Sequence, residues 1–279
     1  MVKIITDTLA GLPAATARRY DIPVIPQVII FGNESFLEGV EMDNAAFMAR
    51  LVESPELPKT AAPPPELFAE QFRRLVPTGE PILCIHPSAD VSGTVRSVTV
   101  AKSDFPDADI RIIDTRILGS PMATMVTLAA QWAEAGESAD TIESRLQDMI
   151  PRCRAYFVVS TLEYLARGGR IGGAAALLGG VLQLKPILTV IDGKVDKYLQ
   201  ARTHGRALMR LKEVVMQQYP KNGGGYLSVM HAGVPNQAQA LADELGAALG
   251  ETDVPILDVP PAIVTHGGPG ILAAAFFAE

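Results

Sequence analysis

The chain has 279 residues, 48% of them hydrophobic and 20% charged, with a formal net charge of −7. That length suggests two domains with a sizeable core. The acidic balance argues against a nucleic-acid partner, which would need a basic stripe, and any anionic ligand must be drawn in by a local donor cluster against the overall field.

In chain order, Val2–Thr6 reads as a strand and Leu12–Tyr20 as a helix with Pro13 in its first turn. Val24–Phe31 is a second strand, Asp43 caps a helix running to Val52, and Pro65–Leu75 is a helix opening on proline. Pro81–His86 and Ile110–Asp114 are strands, with helices over Ser92–Ser103 and Ser120–Ala135. Asp140 and Glu143 look like a capping-box pair for a helix to Ile150. Strands alternating with helices predict a parallel sheet wrapped by helices, so residues 1–155 read as an N-terminal α/β domain.

The second half changes character. Ala155–Ser160 is a strand and Leu162–Arg167 a short helix. Asp192-Gly193-Lys194 between Ile187–Ile191 and Val195–Gln200 is a hairpin signal. Thr203–Tyr219 and Asn236–Leu249 read as helices, and Tyr226–His231, Val254–Val259 and Ile263–His266 as strands. Pro269–Phe277 reads as a closing helix. A hairpin among helices predicts an α+β domain with a mixed sheet over 156–279.

Cys84 and Cys153 lie in apolar runs with no metal-ligand spacing and read as buried free thiols. The N-terminal apolar run is short and stops at Asp7, unlike a signal peptide. The apolar stretch Ile171–Leu184 covers 14 residues, where a spanning helix needs about 20. Together these predict a cytoplasmic protein, and no residue grouping calls for a metal or cofactor.

Four segments carry candidate chemistry. The loop His86–Thr94 joins a strand to a helix, at the sheet edge where ligands bind. Ser92 and Gly93 open that helix, and free N–H groups beside a hydroxyl favour an anion; Ser92 equally reads as the ordinary cap of its own helix. Arg170 follows Gly168-Gly169, which allow a close backbone approach and would let it face an anion, or remain solvated beyond a helix end. His266, before Gly267-Gly268-Pro269-Gly270, is a plausible donor to an oxygen or simply a turn histidine. Thr60 is the one hydroxyl in the extended, proline-rich loop 57–65, which equally reads as a plain linker. His86, His204 and His231 read as structural. No GxGxxG after a strand, Walker loop, HExxH or GxSxG is present in the chain.

Taken together, these pieces resemble the DegV family, fatty-acid-binding proteins that serve bacterial fatty acid kinase. The resemblance runs through Thr6-Asp7-Thr8 with Leu12-Pro13, Val91-Ser92-Gly93-Thr94, Ile113-Asp114-Thr115, Leu162–Leu165 with Gly168–Ile171, Leu184–Leu188, and His266–Gly270. It departs at Thr60-Ala61-Ala62-Pro63-Pro64, where the family usually has T-S-Q-P-S, and at Gly119–Thr124, where the family is richer in glycine. The resemblance implies two domains with a lipid pocket between them. It implies a long-chain fatty acid whose carboxylate is held by Thr60, Ser92 and Gly93, with His266 as a further donor. Arg170 would be a positive group near the mouth, and Arg202 a weaker one of the same kind. It implies a binding subunit, not an enzyme, that presents the acid to a separate ATP-dependent kinase for acyl phosphate formation, and it leaves room for transient membrane contact. The apolar walls would come from Ile171–Leu188 and from the helix near Met122–Leu128. Two other readings stay open: an ester hydrolase using Ser92 with His266 as base, and the substrate-binding subunit of a small-molecule kinase.

Overall fold

The computed structural model describes residues 1–178 and 184–279. The expected apolar wall Ile171–Leu188 therefore falls partly outside the described residues. The chain divides into two compact units, one made of Met1–Asp43 and Pro58–Pro151, the other of Asn44–Leu57 and Arg152–Glu279.

The first unit opens with β1 (Lys3–Asp7), α1 (Ala14–Arg19) and β2 (Val24–Ile25). The expected single strand Val24–Phe31 is broken at Pro26, which has no N–H to offer a ladder. The chain leaves one sheet there and enters another as β3 (Val28–Phe31) and β4 (Glu34–Leu37). α2 (Asn44–Glu53) belongs to the second unit. The proline-rich segment read as a loop contains β5 (Lys59–Ala61), which pairs antiparallel with β3, Thr60 opposite Ile29. Then follow α3 (Pro65–Leu75), β6 (Ile82–His86), α4 (Thr94–Lys102), β7 (Ile110–Asp114), α5 (Ser120–Glu134) and α6 (Ala139–Met149).

The main sheet has the order β2-β1-β6-β7, all parallel. Ile5, Ile82, Cys84 and Ile110 pack with Phe68 and Phe72 of α3 and Val98 of α4 in one buried cluster. Connections run outward from β1 to β2 and from β6 to β7. The β1–β6 boundary is therefore the topological switch point, where a crevice opens at the strands' carboxyl ends.

The cap of α6 differs from expectation. Ser138 Oγ accepts from Thr141 N at 3.2 Å, while Asp140 and Glu143 pair with Arg111 of β7. A cross-element cation has drawn both carboxylates away from the capping role.

The second unit continues with β8 (Cys153–Val158), α7 (Glu163–Arg167), β9 (Lys185–Ile191), β10 (Lys194–Ala201) and α8 (His204–Gln218). It closes with β11 (Ser228–His231), α9 (Pro235–Leu249), β12 (Ile256–Asp258), α10 (Pro261–Gly267) and β13 (Leu272–Phe277). The six-stranded sheet runs β10-β9-β8-β13-β11-β12, antiparallel except for β11–β12. The β9–β10 hairpin turns at Asp192-Gly193, as expected.

Two assignments near the C-terminus are corrected. Ile263–His266 is helical within α10, opening on Pro261 as a first-turn proline. Pro269–Phe277 is not a closing helix but contains β13, buried along its whole length between β8 and β11. A strand buried on both faces shows no alternation, and its alanines carry helix propensity, so periodicity alone points the wrong way. Leu272, Ala274 and Phe276 on one face pack with Leu211 and Val215 of α8 and Leu241 of α9.

Candidate functional site

β1, β6 and β7 end at Asp7, His86 and Asp114, on the carboxyl edge of the parallel sheet. Asp7 is fully buried and yet satisfied. Its Oδ1 accepts from Leu9 N at 2.9 Å and from Gln27 Nε2 at 3.1 Å, and its Oδ2 lies 2.7 Å from His86 Nδ1. Three partners make burial of a carboxylate affordable. The His86 ring stands edge-on to Phe68, with centroids 5.3 Å apart. Thr115 pins the strand end by donating to the His86 carbonyl at 2.8 Å.

Gln27 Nε2 also donates to Thr94 Oγ1, at 2.9 Å. Thr94 is fully buried, and its Oγ1 lies 2.8 Å from Ser92 Oγ. Ser92 Oγ accepts from Thr94 N at 3.3 Å, so Ser92 turns the chain into α4 without being its formal cap, a position taken by Gly93. Ser92 is half-buried and Gly93 exposed. A Cβ on Gly93 would lie 3.2 Å from Ala62 Cβ, so the segment carrying Thr60 runs close against the Ser92–Gly93 turn. The first unit thus brings together Thr60, Ser92 and Gly93 at its switch point. Among the described residues, the side-chain partner of Ser92 is Thr94.

In the second unit His266 lies in the last turn of α10, not at a strand end. α10 packs against α7 and α2. The loop after α7 folds back on itself: Arg170 N donates to Leu165 O at 3.0 Å, and Arg170 Nη1 donates to Gly168 O at 2.7 Å. Gly168 has an ordinary helical φ of −74° and is needed for space: a Cβ there would come 2.2 Å from His266 Nδ1. Burial, aided by the nearby Arg170 charge, lowers the His266 pKa to about 4, so the imidazole is neutral near pH 7. A neutral ring offers one N–H donor and one acceptor. The second unit thus joins His266, Arg170 and Gly168. Arg202 stands apart, exposed in the turn between β10 and α8, without a hydrogen bond or ion pair among the described residues.

The remaining candidates have structural surroundings. His231 faces Asp258 across β11–β12, 3.6 Å away. Both cysteines are free thiols; Cys84 is buried as expected, whereas Cys153 is only partly so, and desolvation pushes Cys84 far up and Cys153 up to about 12. A cleft of about 360 Å³ beside Pro23, Pro26 and Arg74 contains none of the candidate residues. Among the described residues no helix is long and apolar enough to cross a membrane.

Sequence reasoning missed the buried half of the first cluster. Asp7 and Thr94 belong to motifs that carry the family resemblance, and His86 reads as structural. Gln27 gives no signal in the sequence: it is a lone glutamine after a proline, and its role depends on the β2–β3 break.

A parallel sheet with a polar cluster at its switch point, covalently continuous with a mixed-sheet unit, defines the class as a two-unit α/β protein. The chain belongs to the DegV family, matching the model described as "Uncharacterised protein, DegV family" over residues 1–279. A DegV domain-containing protein of Streptomyces coelicolor is 35% identical over 97% of this chain and 96% of its own. One from Halalkalibacterium halodurans is 33% identical over 100% and 99%. Among solved structures, a DegV family protein from Thermus thermophilus described by its fatty acid binding is similar at TM-score 0.91. It is 27% identical, over 100% of this chain and 99% of that one. A fatty acid binding DegV family protein from Streptococcus agalactiae is similar at TM-score 0.90 and 28% identity, with the same coverage.

Proposed function

We propose that this protein binds a long-chain fatty acid and holds its carboxylate with the hydroxyls of Thr60 and Ser92, Gly93 allowing close approach of the backbone. His266 is a further donor, Arg170 a positive group near the pocket mouth, and Arg202 a weaker one. The observation that carries the reading is the Thr60–Ser92–Gly93 cluster at the switch point of the parallel sheet, in a chain similar over its full length to proteins described as fatty acid binding.

The energetics suit that division of labour. Burying about 14 methylenes at about 0.8 kcal/mol each supplies about 11 kcal/mol gross, and association removes several kcal/mol of it. The tail therefore supplies the affinity. The hydroxyls orient the head and spare the carboxylate an unpaired burial. Presented in this way, the carboxylate is the substrate of a separate ATP-dependent kinase subunit that forms the acyl phosphate. The protein itself is a cytoplasmic binding subunit and not an enzyme.

Native mass spectrometry of the purified protein, followed by mild denaturation, is expected to release a species of fatty-acid mass. A protein that arrives empty and refuses both palmitate and oleate would overturn the proposal. Ser92→Ala is expected to weaken palmitate binding roughly 10- to 100-fold, the worth of one hydrogen bond to a charged group, while leaving the fold intact by circular dichroism.

A further inference from the structure

We infer that the buried series Asp7–Gln27–Thr94 fixes the direction of the Ser92 hydroxyl, making it a one-way donor that selects a ligand head able to accept. The inference rests on the fatty-acid reading above and concerns residues that reading does not use.

The direction follows from the partners. A carboxylate only accepts, so the Gln27 atom facing Asp7 is its NH₂ group. The same nitrogen faces Thr94 Oγ1, and an amide nitrogen cannot accept, so Thr94 receives that bond. The Thr94 hydroxyl is fully buried, and Ser92 Oγ is the one acceptor for its proton among the described residues. Were Ser92 to donate to Thr94 instead, the Thr94 proton would be buried without an acceptor. Ser92 Oγ therefore accepts twice, from the Thr94 hydroxyl and the Thr94 N–H. Its single proton has no acceptor within the series, and the half-buried Ser92 turns it outward. A carboxylate oxygen meets that proton without any hydroxyl having to reorient. Gln27, Thr94 and Asp7 are positioning residues, and His86, bonded to the far oxygen of Asp7, anchors the base of the series.

The test compares palmitate with hexadecanol, whose hydroxyl can donate or accept and so tolerates either direction. Gln27→Glu reverses the series: its carboxyl shares a proton with the adjacent Asp7, and the oxygen facing Thr94 accepts the Thr94 proton, so Thr94 Oγ1 in turn takes the Ser92 proton. Thr94→Val interrupts the series, and Thr94→Ser restores it. Dissociation constants are measured on the delipidated full chain by displacement of a fluorescent fatty acid. Gln27→Glu and Thr94→Val are expected to weaken palmitate about tenfold with hexadecanol within twofold of wild type, and Thr94→Ser to recover palmitate binding. In a Ser92→Ala background, Thr94→Val is expected to cost nothing further, since it acts through Ser92. Equal losses for both ligands, palmitate binding unchanged in both variants, or additive losses in the double variant would each overturn the inference and leave fatty-acid binding standing. If Gln27→Glu fails to fold, the Thr94 and Ser92 cycle decides alone. A wild type that binds neither ligand removes the fatty-acid reading and this inference with it.

Discussion

A Cβ built on Gly168 would meet His266 Nδ1 at 2.2 Å and the Tyr164 carbonyl oxygen at 3.0 Å. That glycine exists to seat an imidazole, whereas Gly169 beside it supplies a φ of +70°. The seat has an electrostatic consequence. The His266 pKa is lowered to about 4, against about 6.5 for an unperturbed imidazole. Between those values the unfolded chain binds the proton and the folded chain does not, so stability rises with pH across that window. The stability is fully present above about pH 6.5 and is lost as the pH falls toward 4, by on the order of 1–3 kcal/mol. Urea midpoints at pH 7 and pH 4.5 are expected to differ less in His266→Gln than in wild type; an equal acid loss in both would contradict the assignment. Ser92, His266, Arg170 and Thr60 can be proposed from the sequence because their motifs are local. The partners of Ser92 were not, because hydrogen bonds from Gln27 to Asp7 and Thr94 link residues 20 and 67 apart.

Elements with a clear period or clear punctuation were readable. β6, β7, α3, α8 and the β9–β10 hairpin fall where patterning and turn residues put them. The failures have physical causes. Uniform burial hid β13, a single proline split Val24–Phe31 between two sheets, and pairing with β3 made a strand of a segment whose composition reads as linker. The cap of α6 was misassigned because a capping box and a cross-element ion pair use the same carboxylates. Ser138 bonds the Thr141 N–H, so Ser138→Ala is expected to destabilise the protein by about 1 kcal/mol. Asp140→Asn is expected to cost less than that, because its partner Arg111 keeps Asp109 and Glu143 and the pair is exposed. Thermal denaturation of the two variants side by side gives the order, and the reverse order would restore the capping-box reading.

At the scale of the molecule, strand–helix alternation was enough to announce a parallel sheet, and the hairpin a mixed one. Contiguous reading had no means of showing that residues 44–57 leave the first unit and join the second. Within that excursion Phe47 and Leu51 of α2 are buried, and the Met48 side chain sits where a Cβ on Gly233 would come within 3.0 Å of it. α2 also packs on α10, the helix that carries His266. A fragment of residues 152–279 would lack these side chains. It is expected to bind a hydrophobic dye and to aggregate, and tethering residues 44–57 to its N-terminus is expected to reverse both; a well-behaved 152–279 would show α2 to be dispensable. The chain crosses between the units three times, at 43/44, 57/58 and 151/152. The gene therefore offers no codon at which one break yields two whole halves: wherever translation or a protease stops, at least one unit is left short of its own residues.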